Sequence, residues 1–393
     1  MLTPFLTVVF TGMVARLGYQ MARSPVLPRF AQDLGAAPEL IGLIVAASTI
    51  TGVLCKLPAG ALSDVLGRRQ MMVLGCLFFA GPPFLYPLIS HAIPLLLLRF
   101  VHGLATAIFS PVAAAYVADL SQRRRGEKLG WFASASDVGA TVGPLFGGVI
   151  LFSSASYSIT YLVVGALGIL PLLMVLRVPE EGGPGLRVGG RNRWQEFRSG
   201  ILEVASNRAV IAASMMEASM YVGYGAFLGF FPLYAKGIGL NDAEIGIVLG
   251  AQLGTTMGAK PLSGRLSDRL GRKPMILSGL AVCAAVLPAI PLARDFVALL
   301  IFSAALGLGI AIVTPSTTAL VADLVKAGRM GSAMGVFGTI WDSGEASGPI
   351  VAGFLISALG YGQAFGIIAA ILVAAALIFA LTVPDPERTP TRA

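Results

Sequence analysis

An all-α membrane protein of twelve transmembrane helices, in two pseudo-symmetric six-helix bundles, is what this sequence predicts. Three observations carry the prediction. The 393 residues are 56% hydrophobic and only 12% charged, with a mean hydropathy of +0.81, more apolar surface than a soluble domain of this length can hide in a core. Runs such as "AIPLLLLRFVHGLATAIFSPVAAAYVA" reach the ~20 residues that cross a bilayer as a helix. The most charged phrase, "GALSDVLGRRQMM" at 60–72, returns as "GRLSDRLGRKPMI" at 264–276, so that Asp64 and Asp268 stand 204 residues apart.

Charge, glycine and proline punctuate the chain into spans near 4–27, 38–60, 71–90, 93–118, 128–152, 157–178, 209–232, 240–263, 274–293, 296–321, 330–356 and 361–383. The first begins without a basic leader, so it reads as a spanning segment and not as a cleaved signal. The two charged phrases separate the second span from the third and the eighth from the ninth. Arg123–Lys128 separates the fourth from the fifth, and Lys326–Arg329 the tenth from the eleventh. The longest polar stretch, 177–208, divides the chain into an N-terminal bundle (1–178), a linker (179–207) with room for an amphipathic helix around Trp194–Val204, and a C-terminal bundle (208–393).

Lysine and arginine set the orientation. Of 28, 20 fall in one set of loops and the tail, 3 (Arg29, Lys236, Arg294) in the opposite loops, and 5 inside spans. Basic loops stay on the cytoplasmic side, which places both termini and the linker there and makes the net charge of +8 a topology signal, not a nucleic-acid footprint. Cys55, Cys76 and Cys283 lie in apolar runs without metal-ligand spacing.

The repeat extends beyond the charged phrase. At an offset of 204, Pro28 pairs with Pro232, Lys56 with Lys260, Gly103 with Gly307 and Val117-Ala118-Asp119 with Val321-Ala322-Asp323; at 205, Asp137 pairs with Asp342 and Gly143-Pro144 with Gly348-Pro349. A parallel repeat of six helices is a transporter architecture whose halves rock about a central site. In each copy Arg68 or Arg272 can reach an Asp at the end of a later span, Asp119 or Asp323, with Asp64 and Asp268 available locally. Arg69 and Lys273 read as topology charges.

Over nearly its whole length the sequence resembles the major facilitator superfamily. The doubled phrase looks like motif A of that family, and "LLLLRFVHG" resembles motif B, with Arg99 at its arginine. "GWFASASDVGATVGPLFGG" fits motif C, G-x8-G-x3-GP-x2-GG, through Gly130, Gly139, Gly143, Pro144, Gly147 and Gly148. Motif C is associated with the drug/proton antiporter subgroup. Val65 departs from motif A, where a basic residue is usual, and His102 from motif B, where Gln is usual. The resemblance implies that the second and eleventh helices meet, as do the fifth and eighth. Lys56 would then bridge to Asp342 and Lys260 to Asp137, latching the cytoplasmic side when the carrier faces outward and breaking when it faces inward. Pairs within one half, or contacts to substrate, are the alternatives.

An ionisable group at membrane depth is costly unless paired or wetted, so each is a functional candidate. Arg16, Gln20 and Arg23 share one face of the first span, and Glu217, Tyr221 and Tyr224 one face of the seventh. The resemblance turns both faces, and Arg99 with His102, toward a substrate cavity. Glu217 is the first candidate proton carrier, because removal from water favours a neutral carboxyl and a nearby guanidinium favours the charged one. Glu345, Asp137 and Asp342 follow. The glycines of motif C permit close helix packing, and Pro144 bends its helix.

These features predict a monomeric secondary transporter in a bacterial inner membrane, not an enzyme. It would export a small amphiphilic compound against protons, with a proton-coupled importer or exchanger of an organic anion or zwitterion as the alternative. No phosphate-binding loop, metal-ligand set or nucleophile constellation is present in the sequence, so no cofactor beyond the proton gradient is expected, and its partners are substrate, protons and the lipid bilayer.

Overall fold

The computed structural model describes residues 3–120, 124–180, 203, 206–325 and 330–382, and they contain helices and no strand. The helices are α1 (Pro4–Arg23), α2 (Val26–Asp33), α3 (Pro38–Leu66), α4 (Arg68–Ala80), α5 (Ala92–Asp119), α6 (Arg125–Ser154), α7 (Tyr157–Val175), α8 (Arg208–Gly237), α9 (Asp242–Leu270), α10 (Arg272–Ala289), α11 (Phe296–Asp323) and α12 (Met330–Thr382). The amphipathic helix expected around Trp194–Val204 lies outside the described residues apart from Glu203.

Local chemistry sets the ends. Asn241 accepts from the Glu244 N–H while the Glu244 carboxylate accepts from the Asn241 N–H, a capping box that starts α9. Ser156 and Asp295 cap α7 and α11 through single side-chain acceptors. Gly67 and Gly271, both at φ +101°, are the single residues between α3 and α4 and between α9 and α10. A side chain there would be strained, so each charged phrase turns the chain within one residue. Gly60 lies inside α3 and takes no part in that turn.

Among the described residues nine stretches are long and apolar enough to cross a membrane. The longest, Ala333–Thr382, is 50 residues and is broken at Gly360 (φ +77°). Helices α8 and α9, of 30 and 29 residues, are not among the nine. Polar residues interrupt them: Glu217, Tyr221 and Tyr224 in α8, Gln252, Thr255, Thr256 and Lys260 in α9.

In the first part of the chain α1 packs on α6 and α7, α3 on α5, and α4 on α5 and α7; in the second, α8 packs on α12, α9 on α11, and α10 on α11 and α12. The two parts meet along α3–α12 and α6–α9. Glycine makes that seam tight at one end only. A Cβ on Gly42 would strike the backbone of Pro349, one on Gly353 that of Pro38, and one on Gly148 the backbones of Asp242 and Gly246. At the end that carries the charged phrases, Gly60, Gly130, Gly258 and Gly335 have nothing within 4 Å of that position. The seam is therefore closed by backbone contacts at one end, and the glycines of the phrase end make no such contact.

Candidate functional site

A cavity of about 340 Å³ lies between the two parts, walled by α1, α3, α5 and α6 from one and α8, α9, α11 and α12 from the other. Its charged lining is Arg16, Arg23, Lys56, Asp137, Lys260, Asp342 and Glu345; its rings are Tyr19, Tyr221, Tyr224 and Trp341. Gln20 and Gln252 also line it, and neither side-chain carbonyl oxygen has a hydrogen-bond partner among the described residues.

Three ion pairs cross this cavity. Arg23 Nη2 meets Glu345 Oε1 at 2.6 Å, both side chains largely buried, and Arg23 also donates to Thr49. Lys56 Nζ lies 2.5 Å from Asp342 Oδ2; the carboxylate is 8% exposed and the lysine 38%. Lys260 Nζ stands 3.8 Å from Asp137 Oδ2, with 35% and 47% exposure. The two lysines and Asp137 are more exposed than Arg23 and Glu345, while Asp342 stays buried. Lys56 with Asp342 and Lys260 with Asp137 are the two pairs expected across the two parts, and both are formed.

A fourth pair was not expected from the sequence. At the sealed end Arg29 Nη1 lies 2.5 Å from Asp242 Oδ1, both largely buried, with Lys236 3.4 Å from the other oxygen. It joins α2 to the first residue of α9, beside the contact of Gly148 with Asp242 and Gly246. The only sequence signal was that Arg29 and Lys236 are two of the three basic residues in the sparse loops.

Three residues expected on the cavity wall are elsewhere. Arg99 is fully buried; it donates to Ser48 Oγ at 2.6 Å and to the Tyr86 hydroxyl at 3.4 Å, and sits 5.7 Å from the centre of the Tyr19 ring. His102 Nδ1 is 3.0 Å from the same Tyr86 hydroxyl. Tyr19 and Ser48 line the cavity and Arg99 lies behind them. Glu217 is also fully buried: its Oε2 accepts from Thr317 at 2.6 Å and its Oε1 has no partner among the described residues. It faces α11, while Tyr221 and Tyr224 on the same helix face the cavity.

The charged phrases work inside each part, not between them. Arg68 holds Asp64 at 2.5 Å, Asp119 at 3.3 Å and the Ser63 hydroxyl; Arg272 holds Asp268 at 2.5 Å, Asp323 at 3.1 Å and Ser267 at 3.4 Å. Each cluster ties an α3–α4 or α9–α10 corner to the end of α5 or α11. Arg69 donates to the Leu176 carbonyl and Lys273 to the Ala380 carbonyl, both in final helical turns, so these two cations also satisfy orphan carbonyls.

Motif C divides its labour. Gly139, Gly143 and Gly147 face the α1 backbone at Met13, Leu17 and Met21, whereas Gly148 faces α9. A Cβ on Gly130 would meet nothing within 4 Å, so the close packing expected of this motif C glycine is not seen here.

The Lys56–Asp342 pair makes a prediction. Lys56→Met strands a buried carboxylate, whereas Lys56→Met with Asp342→Asn strands nothing. Thermal unfolding should rank the single variant below the double. The opposite order would mean that the pair contributes no mutual compensation.

The family model of the Major Facilitator Superfamily matches residues 8–251 and again 213–393. An uncharacterised transporter of that family from Methanocaldococcus jannaschii is 27% identical over 366 residues, covering 91% of this chain and 90% of its own. Multidrug resistance protein 1 of Bacillus subtilis is 24% identical over 358 residues, 89% of each chain. The inward-facing, unoccupied structure of a bacterial homologue of the human lysosomal transporter Spinster matches with a TM-score of 0.83 at 16% identity, over 96% of this chain and 95% of that one.

Proposed function

The chain belongs to the Major Facilitator Superfamily, a family of transporters and not of enzymes, and on that footing we propose that it exports a small amphiphilic compound by alternating access, driven by the proton gradient. The cavity carries the proposal: both parts of the chain line it, and backbone-to-backbone glycine contacts close one end of the seam between them. Motif C and the similarity to a multidrug resistance protein support export.

The moving bodies are residues 1–178 and 208–393, joined by the linker 179–207. Twelve helices span the membrane, the stretch 333–382 counting as two divided at Gly360 and α8 and α9 completing the number. The phrase end faces the cytoplasm of a bacterial inner membrane, with both termini, which makes the described state inward-facing. The protein acts as a monomer. Arg29 with Asp242 shuts the outer end. Lys56–Asp342 and Lys260–Asp137 tether the halves near the cavity mouth, and the Arg68 and Arg272 clusters stiffen each half as it moves. Glu217 carries the proton, because a carboxylate in a dry site with one unpartnered oxygen is expensive as an ion. Asp137, Asp342 and Glu345 take up charge at the cavity wall.

Vesicles holding the protein under an imposed pH gradient should move one member of a panel of cationic dyes and organic anions. Glu217→Gln should reduce the gradient-driven component to the level of empty vesicles while leaving binding of the same compound in place. Undiminished dependence on the gradient would remove Glu217 from the role.

A further inference from the structure

We infer that the transported compound is an aromatic carboxylate, its charge held by Arg16 and its ring by the stacked pair Tyr221 and Trp341. The inference rests on the central cavity being the transport site. Four cations and three carboxylates line that cavity. Arg23 takes Glu345, Lys56 takes Asp342 and Lys260 takes Asp137. Arg16 has neither an ion pair nor a hydrogen bond among the described residues. Rearrangement does not remove the surplus: were Asp137 to turn from Lys260, at 3.8 Å, toward Arg16, Lys260 would be left over instead. A cation at membrane depth is costly unless paired or wetted, and since every carboxylate lining the cavity already has a partner, an anionic ligand is the counter-charge open to Arg16.

Arg16 suits a carboxylate better than Lys260 does. Its planar fork matches two carboxylate oxygens, while an ammonium offers a point charge. Arg99 is no competitor for the anion, because it is sealed behind Tyr19 and Ser48. The rings add the second half of the specificity. Tyr221 and Trp341 lie 5.4 Å apart between centroids and 5° from parallel, and Tyr224 meets Tyr221 edge-on at 5.6 Å. Arg16 lines the cavity from α1, and Tyr221, Tyr224 and Trp341 line it from α8 and α12, so one ligand in that cavity can meet both charge and rings. The unpartnered carbonyl oxygens of Gln20 and Gln252 favour a ligand that also carries a donor, such as a ring hydroxyl. A volume of about 340 Å³ falls within the span of about 300–1,000 Å³ usual for small-molecule sites.

Calorimetric titration of the full chain in lipid nanodiscs tests this with four probes: naphthoate, hydroxynaphthoate, naphthylmethylammonium and cyclohexanecarboxylate. The two naphthoates should bind more tightly than the ammonium or the ring-saturated acid, and hydroxynaphthoate most tightly. Arg16→Gln should weaken naphthoate binding about tenfold to a hundredfold, the loss of a charged hydrogen bond, and abolish the preference over the ammonium. Arg16→Lys should restore part of the affinity, and it separates lost charge from lost folding. Trp341→Ala should erase the difference between naphthoate and cyclohexanecarboxylate. Preference for the ammonium, or naphthoate affinity untouched by Arg16→Gln, overturns the inference. Gradient-driven flux of a cationic dye without naphthoate binding overturns this substrate class and leaves export standing. Naphthoate binding that depends on Arg16, without gradient-driven flux of any probe, overturns proton-driven export and leaves the binding site standing.

Discussion

Gly139→Val should lower stability by about 3 kcal/mol or more, at the upper end of the cost of overpacking. A Cβ at Gly139 meets the Met13 carbonyl, the Met13 carbonyl carbon at 3.0 Å and the Leu17 nitrogen at 3.1 Å. These are backbone atoms of α1, so no rotamer change relieves the clash; two helices must part along their length. Gly130→Val, nine residues earlier on the same helix, serves as the control, because it has open space around it. Thermal unfolding of the two variants in one detergent measures the difference. Equal melting temperatures would mean that α6 does not pack on α1 through its glycines.

Gly148→Val should act on conformation and not on the stability of either half. Its obstacle is the backbone of α9 across the seam, at Asp242 and Gly246. Any state with this end shut carries the clash, and any state with it open does not. A clash of about 2 kcal/mol moves a two-state equilibrium by about thirtyfold. Spin labels at Gln32 and Gly237, both exposed on the sealed end, should show a longer distance in the variant, with transport lost in step. An unchanged distance distribution would mean that Gly148 does not hold the seam.

What the sequence made legible follows from the contrast between charge and an apolar background. The repeat, the breaks at the two charged phrases, and the partners of Arg68, Arg272, Lys56 and Lys260 could be named in advance, because few charges exist and each needs a counterpart. Helix rotation was not legible. In a span that is hydrophobic all round, the periodicity that points to a face is weak, so Arg99, His102 and Glu217 were placed on the cavity wall when they sit behind it. Trp341 was missed for the same reason. Arg23 does face the cavity, but its partner there, Glu345, lies 322 residues away in the chain, and nothing in the sequence pairs the two. Motif C read as one glycine stripe, but a turn of helix sends Gly147 to α1 and Gly148 to α9. Only the placement of both neighbours separates those roles.

Helices α8 and α9 are adjacent in the chain, and neither is apolar enough to count among the nine evident spans. Their polar residues are tolerable where cavity water, Thr317 or an ion pair receives them, and those partners belong to helices made both before and after. During synthesis the bilayer alone would receive these two segments poorly, since each buried polar side chain raises the free energy of entry into lipid. On the twelve-span reading, these two segments would settle in the bilayer only beside the completed first part and once α11 and α12 have emerged. The wet interior that gives the finished protein its site makes its assembly a matter of timing.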